Sequence, residues 1–347
     1  MNLAFIMYPW EEVEVKTDST LRLVYEAARR NHTVAIIYPN NLTIRNSITS
    51  AFCKIIGRMN PFPANAVSFY NRVRFKEQLL PLSGFDAIFL RSNPPVDNIM
   101  LNFLDSVKED TFFINSVEGI RLANNKLYSA AFYDPDNKMI PVTHVSKNKE
   151  YLKRVIRESP KNKMILKPLN AYGGHGVIIL ERNASQNINS LLDFYIRGKE
   201  GRGNYVILQE YIEGAEKGDV RILMLNGEPI GAMNRVPAED DIRSNIHAGG
   251  HEIKHVLTKV EKEICKNIGP RLVKDGLYFV GLDVINGKLL EVNVLSPGGI
   301  VRINRLNRIR LERKVIDFVE EVVQSREMVI NRKKEFKRWV SDANTDN

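Results

Sequence analysis

The sharpest alternation of apolar and polar positions lies in Phe279-Val-Gly-Leu-Asp-Val-Ile-Asn-Gly-Lys-Leu-Leu-Glu-Val-Asn-Val294. Val280, Leu282 and Val284 share one face of a first strand, and Leu290, Val292 and Val294 share one face of a second. Asn286-Gly287 between them marks a hairpin. Asp283, Glu291 and Asn293 fill the other face. A two-residue turn would pair Asp283 with Leu290 and put the acids on opposite faces. A three-residue loop, Ile285 to Gly287, pairs Asp283 with Leu289 and sets Gly287 in the left-handed bulge position. Only this register makes both apolar stripes consistent, so it is the expected one. Two carboxylates and an amide oxygen on a rigid strand pair suit Mg2+, which takes few protein oxygens beside phosphate and water. The same residues also fit the solvated outer face of an antiparallel hairpin. Ser296-Pro-Gly-Gly299 follows and offers backbone N–H groups to an anion.

Elsewhere the pattern predicts alternating strands and helices. Leu3–Tyr8 reads as a strand, Thr20–Arg30 as a helix capped by Asp18-Ser19, and Thr33–Tyr38 as a second strand. Asn40 to about Gly84 reads as loop. Ala87–Leu90 is a short buried strand followed by Arg91, then come a helix over 97–108 and a strand over 111–115. Such alternation implies a parallel sheet, whose ligands sit beyond the strand ends. Tyr8, Asp18, Ser19 and Arg91 are therefore rim candidates, although capping alone also accounts for Asp18 and Ser19.

Lys126 precedes a helix over 127–132, and a second helix covers 149–158. Lys167 interrupts the apolar strand Met164-Ile-Leu166, a costly place for a cation that lacks an anionic partner. Gly173, Gly174 and Gly176 follow in a strand–loop–strand, which fits a phosphate-binding loop or a plain flexible turn. The Rossmann and Walker patterns need a helix after the loop and are excluded. Val206–Tyr211 is a strand, and 219–225 with 230–236 forms a hairpin around Asn226-Gly227 that carries Asp219, Arg221 and Arg235. The polar stretch Pro237–Gly250, with Arg243 and Asn245, reads as a lid. A helix over 258–274 leads into the first-described hairpin. An amphipathic helix over 303–324 follows it, then a charged tail that frays.

Composition changes this picture little. The 347 residues allow two or three domains, and the hydrophobic content of 44% is that of a globular protein. Cys53 and Cys265 are too few for a disulfide framework and lack metal-site spacing, which points to a reducing compartment and a cytoplasmic protein. No apolar run is long enough to span a membrane, so no membrane partner is expected. The net charge of +9 is concentrated late, without the interleaved aromatics of a nucleic-acid surface, so no nucleic acid is expected either.

Taken together, the cations, the hard oxygen donors and the coverable cleft are what phosphoryl transfer from a nucleotide needs. In ordered blocks the chain resembles the bacterial-type glutathione synthetases of the ATP-grasp superfamily. These blocks include Lys16-Thr-Asp-Ser19, Leu90-Arg-Ser-Asn-Pro-Pro95, Asn125-Lys-Leu127, Ile165-Leu-Lys-Pro-Leu169, Gly218-Asp-Val-Arg221, Ala248-Gly-Gly250, Phe279-Val-Gly-Leu-Asp283 and Glu291-Val-Asn-Val294. The resemblance implies an α/β fold, with an N-terminal parallel-sheet domain (1–122), an ATP-grasp fold in two subdomains (123–204 and 205–325) and a charged tail (326–347). It implies that Lys126, Lys167, Gly173 and Gly174 hold ATP phosphates. Gln209, Glu210, Tyr211 and Ile212 line the adenine, and Asp219 lies in the nucleotide pocket. Asp283, Glu291 and Asn293 hold Mg2+, with Mn2+ as an alternative. Arg221, Arg235 and Arg243 face the transferred phosphoryl group. Asp18, Ser19, Arg91, Asn245, Ser296, Gly298 and Gly299 fall to the substrates, γ-glutamylcysteine and glycine. A homo-oligomer is expected. The chain departs from the family pattern at Tyr8, in a lid that is not glycine-rich and in Ser-Pro-Gly-Gly, all on the acceptor side. A ligase with another acceptor, or a non-catalytic nucleotide-binding module, is the alternative.

Overall fold

The computed structural model describes residues 1–170, 176–183, 185–197, 203–237 and 250–343. The elements begin β1 (Asn2–Met7), α1 (Ser19–Arg29), β2 (Thr33–Arg45), β3 (Ile48–Ile56), α2 (Ala66–Arg72), β4 (Phe75–Pro81), β5 (Ala87–Arg91), α3 (Asn98–Asp105) and β6 (Phe112–Ile114). Next come α4 (Val117–Ala123), α5 (Leu127–Ala130), β7 (Thr143–Ser146), α6 (Lys149–Glu158), β8 (Lys163–Pro168), β9 (Ile178–Glu181), α7 (Ser185–Arg197) and β10 (Val206–Glu210). The last are β11 (Asp219–Leu225), β12 (Glu228–Val236), β13 (His251–Lys254), α8 (Lys259–Lys274), β14 (Phe279–Ile285), β15 (Lys288–Asn293), α9 (Ile300–Asn307) and α10 (Leu311–Asp342). They fall into two compact units. The first joins Met1–Arg91, Asn102–Ile114 and Arg310–Asn347, and the second joins Ser92–Leu101 and Asn115–Ile309.

The first unit carries a six-stranded sheet of order β4-β3-β2-β1-β5-β6, in which β2, β1, β5 and β6 run parallel. The run Leu3–Met7 is wholly buried, as a central parallel strand covered on both faces must be. Asp18 caps α1 by accepting from the Leu21 N–H at 2.7 Å. Glu26 on α1 is buried and gripped by Arg29 and Arg30 at 2.7 and 2.9 Å, and Arg30 reaches on to Asp317 and Glu320 of α10.

Two expectations fail in this unit. The stretch expected to be loop from residue 40 holds β3, α2 and β4, with β3 and β4 antiparallel to their neighbours. Asn46 and Ser47 both take positive φ and close a tight turn without a glycine. Three successive small residues of β3, Thr49, Ser50 and Ala51, are buried, whereas Ile48 and Phe52 are exposed, so the strand shows no apolar–polar alternation to read. The tail is also not a single helix followed by fraying chain. Arg308 takes a left-handed conformation that ends α9, and α10 runs on to Asp342. Its first half buries Leu311, Val315, Ile316, Val319 and Val323.

The second unit has two antiparallel sheets, β7-β10-β8-β9 and β13-β12-β11-β14-β15. The first packs α6 and α7 through Leu152, Ile156, Leu192, Leu166 and Leu208. The second packs α8 through Ile264, Cys265, Ile268 and Leu272. Thr258 and Glu261 close a capping box at the start of α8. Gly269 meets the β11–β12 turn, where a Cβ would stand 2.3 Å from the Gly227 carbonyl oxygen. The Asn226-Gly227 and Asn286-Gly287 turns both have two positive φ angles, as two-residue hairpin turns require.

The register of the last hairpin differs from the expected one. Ile285 pairs with Lys288 and Val284 with Leu289, which makes a two-residue turn. A bulge then absorbs Leu290, so that Asp283 pairs with Glu291 and Gly281 with Asn293. The three polar groups share a face because of this bulge rather than a longer loop. Leu289, not Leu290, takes the core position.

Candidate active site

The register of β11 sets cross-strand charge pairs. Arg221 lies opposite Asp283 of β14, and Asp219 lies opposite Arg235 of β12. Arg221 donates to both Asp283 oxygens, at 2.5 and 3.0 Å. Arg235 forks onto Asp219 and also reaches Asp283 at 2.9 Å. Asn293 donates its amide to Asp283 at 3.1 Å. All four charged residues are buried or nearly so. Burial opposes ionisation of Asp283, but Arg221 and Arg235 outweigh it and hold the carboxyl well below the usual carboxylate range. Burial likewise opposes the charge on Arg235, and Asp283 and Asp219 hold it above its ordinary value. The grid is neutral as a whole and rigid, since each fork fixes two bonds at once.

A second cluster adjoins Glu291. Lys126, at the start of α5, sits 3.2 Å from the Glu291 carboxylate, which is partly exposed. Lys167 on β8 is buried and donates to the Gln209 side-chain oxygen at 3.0 Å. Burial pulls its pKa down to about 8, Glu291 opposes that, and Lys126 adds to it. The Gln209 amide in turn donates to Thr143 at 2.8 Å. Glu210 accepts from the Val142 N–H and pairs with Lys161, whose ammonium also bonds the Tyr211 carbonyl. Ile212 is buried beside them in sequence.

A cavity in this unit is lined by Lys126, Arg221, Glu291, Asn293, Ser296 and Gly298. The Gly298 carbonyl accepts from Arg221 at 3.4 Å, and a Cβ at Gly298 would meet nothing within 4 Å. Gly299 caps α9 with a φ of 122°. Anchored cations around a partly exposed carboxylate suit a polyanion bound beside that carboxylate.

Residues 1–121 match the family described as prokaryotic glutathione synthetase, N-terminal domain, and residues 125–308 match its ATP-grasp domain. The chain belongs to the prokaryotic glutathione synthetase family. It is 36% identical to the glutathione synthetase of Gloeobacter violaceus over 92% of this chain and 97% of that relative. It is 36% identical to that of a Nostoc species, over 93% and 99%. Its fold is similar to those of D-cycloserine synthetase DcsG (TM-score 0.62, 14% identity, 93% of this chain and 99% of that one) and of the ATP-grasp ligase PsnB solved with Mg and ADP (TM-score 0.60, 15% identity, 92% and 98%).

The glutathione synthetase family uses ATP and a divalent metal, and the residues present fit both. Among the described residues no group of three or more His, Cys, Asp or Glu forms a metal cage. An ion that takes one or two carboxylates plus phosphate oxygens needs none. The Asn293 nitrogen is committed to Asp283 and the Gly281 carbonyl, so its oxygen is the atom of that amide that would face an ion held beside Glu291. Asp283 already accepts from three side chains, so its electrostatic role reaches the arginines first.

The remaining sequence candidates divide between the units. Asp18, Ser19 and Arg91 meet in the first unit, where Tyr8 donates to Asp18 and Arg91 donates to Thr20 at 3.0 Å. Burial first, and then Asp18, push the Tyr8 phenol well up, so it remains a donor. Gly173, Gly174, Arg243 and Asn245 lie outside the described residues, as does most of the lid. The sequence reading missed Asn115. It is buried, donates to the Phe279 and Val294 carbonyls at 2.8 and 2.7 Å, and accepts from the Phe279 N–H at 2.6 Å. This amide pins β14 to the chain just beyond β15, and no motif marks it.

Proposed function

We propose that the chain joins γ-glutamylcysteine to glycine, with Mg2+ as the metal, in the cytoplasm. Family membership supports ATP-dependent ligation in glutathione synthesis, and the observation that carries the site is Lys126 and Lys167 gathered around Glu291 beside the Arg221–Asp283–Arg235 grid. A cysteinyl carboxylate oxygen attacks the γ-phosphorus and ADP leaves. The glycine amine then attacks the acyl carbon, phosphate leaves, and the amine proton passes to solvent. Lys126 and Lys167 bind the phosphates, and ATP-phosphate binding exchanges the Lys126–Glu291 pair for a lysine–phosphate contact. Glu291 and Asn293 hold the metal, with Asp283 behind them. The metal supplies charge neutralisation on the phosphates. Arg221 and Arg235, fixed by Asp283 and Asp219, face the charge that develops on the transferred group. The strand end at Gln209–Ile212 takes the adenine. The ATP site spans the proposed subdomains 123–204 and 205–325, and Asp18, Ser19 and Arg91 of the N-terminal domain, 1–122, serve the dipeptide. The two buried thiols accord with a reducing cytoplasm.

The acceptor end is tested by competition. Purified protein receives ATP, γ-glutamylcysteine and equal amounts of glycine, alanine, serine and β-alanine, and products are read by mass. Glutathione should dominate. Dominance of another tripeptide, for which the open space at Gly298 leaves room, would make the chain a ligase with a changed acceptor.

A further inference from the structure

From Gln324 to Ala343 every residue of the chain is exposed, although α10 continues unbroken to Asp342. At ~100° per residue, Met328, Val329, Phe336, Trp339 and Val340 fall within an arc of about 120°. They are 65%, 53%, 48%, 59% and 70% exposed, and the Phe336 and Trp339 rings touch at 5.1 Å. Six basic residues and three acidic ones accompany them between Arg326 and Asp342, a net +3. Lys333 and Lys337 border the stripe on one side, and Arg332 lies within it.

A second copy of the helix is a poor cover for this face. A seam built on Val329, Phe336 and Ala343 would need Arg326 and Lys333 at the alternating core positions. In a parallel pair Arg332 would also flank Lys337 of the second copy, a like-charge contact. An anionic lipid surface meets both features at once: the acyl boundary accepts an apolar stripe without shape matching, and the head groups attract the lysines and arginines that snorkel beside it. The segment also lies outside the family match, which ends at residue 308.

We propose that the exposed half of α10 is a membrane-surface helix that lays its Met328–Val340 stripe on an anionic bilayer. The expectation of no membrane partner rested on the lack of a spanning run, and an in-plane helix needs none.

The test uses the full chain and vesicles of phosphatidylcholine, either alone or with roughly a third phosphatidylglycerol. The protein should sediment with the anionic vesicles, be released as salt rises from roughly 50 to 500 mM, and stay free of the neutral ones. Trp339 should shift its emission to the blue, because Trp10, the other tryptophan, is already buried. Phe336→Ser with Trp339→Ser should abolish sedimentation, and Lys333→Ala with Lys337→Ala should weaken it roughly thirtyfold. Both double variants should keep the melting temperature and ligase rate of the parent, since all four side chains are exposed and far in sequence from the proposed site. Absence of anionic-vesicle binding at low salt overturns the proposal. So does equal binding to neutral vesicles, or a self-associated protein in sedimentation velocity that Phe336→Ser with Trp339→Ser dissociates.

Discussion

A lysine buried in an apolar strand is stable only if burial is offset by what it holds when it works. Lys167 has Gln209 as its hydrogen-bond partner and a carboxylate nearby, and its pKa of about 8 records the cost of that setting. Lys167→Met should weaken ATP binding by at least ~10-fold, read by calorimetry, while the melting temperature without nucleotide stays or rises because an under-compensated charge is removed. An unchanged ATP affinity would refute the role. The pH dependence follows from the same shift. The folded pKa lies below the unfolded value, so below about 8 the group is charged in both states and the burial cost is felt in full. Between about 8 and the ordinary lysine value of 10.5 the unfolded chain binds the extra proton, and stability without nucleotide should rise with pH. Nucleotide binding needs the charged form, so ATP affinity should fall as pH climbs above about 8. A flat affinity from pH 7 to roughly 9.5 would contradict this. Glu291 offers a complementary test. Its side chain is 31% exposed, so Glu291→Gln should fold normally yet raise the metal requirement and cut turnover by orders of magnitude. Parent-like turnover at ordinary metal concentration would exclude Glu291 as a ligand. Lys167 was legible because a cation breaks an apolar run. The Lys126–Glu291 contact was not, because nothing local in either segment encodes where the other folds.

Strand register turns separate charges into a grid. Arg221, Asp219, Arg235 and Asp283 come from three adjacent strands, and the pairing of β11 with both neighbours places each cation opposite an anion. Asp283→Asn would strip Arg221 of its carboxylate partner and leave Arg235 with Asp219 alone. The expected loss is about 3–5 kcal/mol in urea unfolding, larger than the usual effect of a surface carboxylate. A loss under ~1 kcal/mol would show that the grid is not a structural unit. The shared face of Asp283, Glu291 and Asn293 was readable from period-two alternation, and so were the Asn-Gly turns. The bulge at Leu290 was not, because a two-residue turn plus a bulge and a three-residue loop both bring the same polar residues to one face. Alternation alone does not separate them. The β2–β3 turn was hidden for another reason. Asn46-Ser47 carries two positive φ angles without glycine, and β3 buries small polar residues while exposing Phe52.

At the scale of the whole molecule, the chain returns at Arg310 to the unit it began in, which no reading by sequence order would suggest. Alternation showed that α10 begins with an apolar face. It did not show where that face docks, because amphipathicity specifies a partner surface only by its polarity. Phe318 of α10 packs edge-on against Phe112 of β6, Arg326 lies over the same ring at 5.1 Å, and Arg30 ties α1 to Asp317 and Glu320. The helix therefore has a packed half and an exposed half, and truncation separates them. A chain ending after Glu327 keeps all of these contacts and, among the described residues, loses only exposed ones. It should melt within about 2 °C of the parent and ligate at the same rate, since exposed positions carry little stability. A chain ending after Ile309 loses Leu311, Val315, Ile316, Val319 and Val323, five buried side chains. At ~1.5–3 kcal/mol each, their combined burial is worth about 10 kcal/mol, comparable with the entire stability of a typical domain. The first unit of that shorter chain should not fold, and hydrogen exchange should show β1, β2 and β5 unprotected. Should the chain ending after Ile309 retain protection in those strands, the first half of α10 would be an appendage rather than a component of the core. Should the chain ending after Glu327 melt much lower, the exposed half would carry stability that its surroundings do not explain.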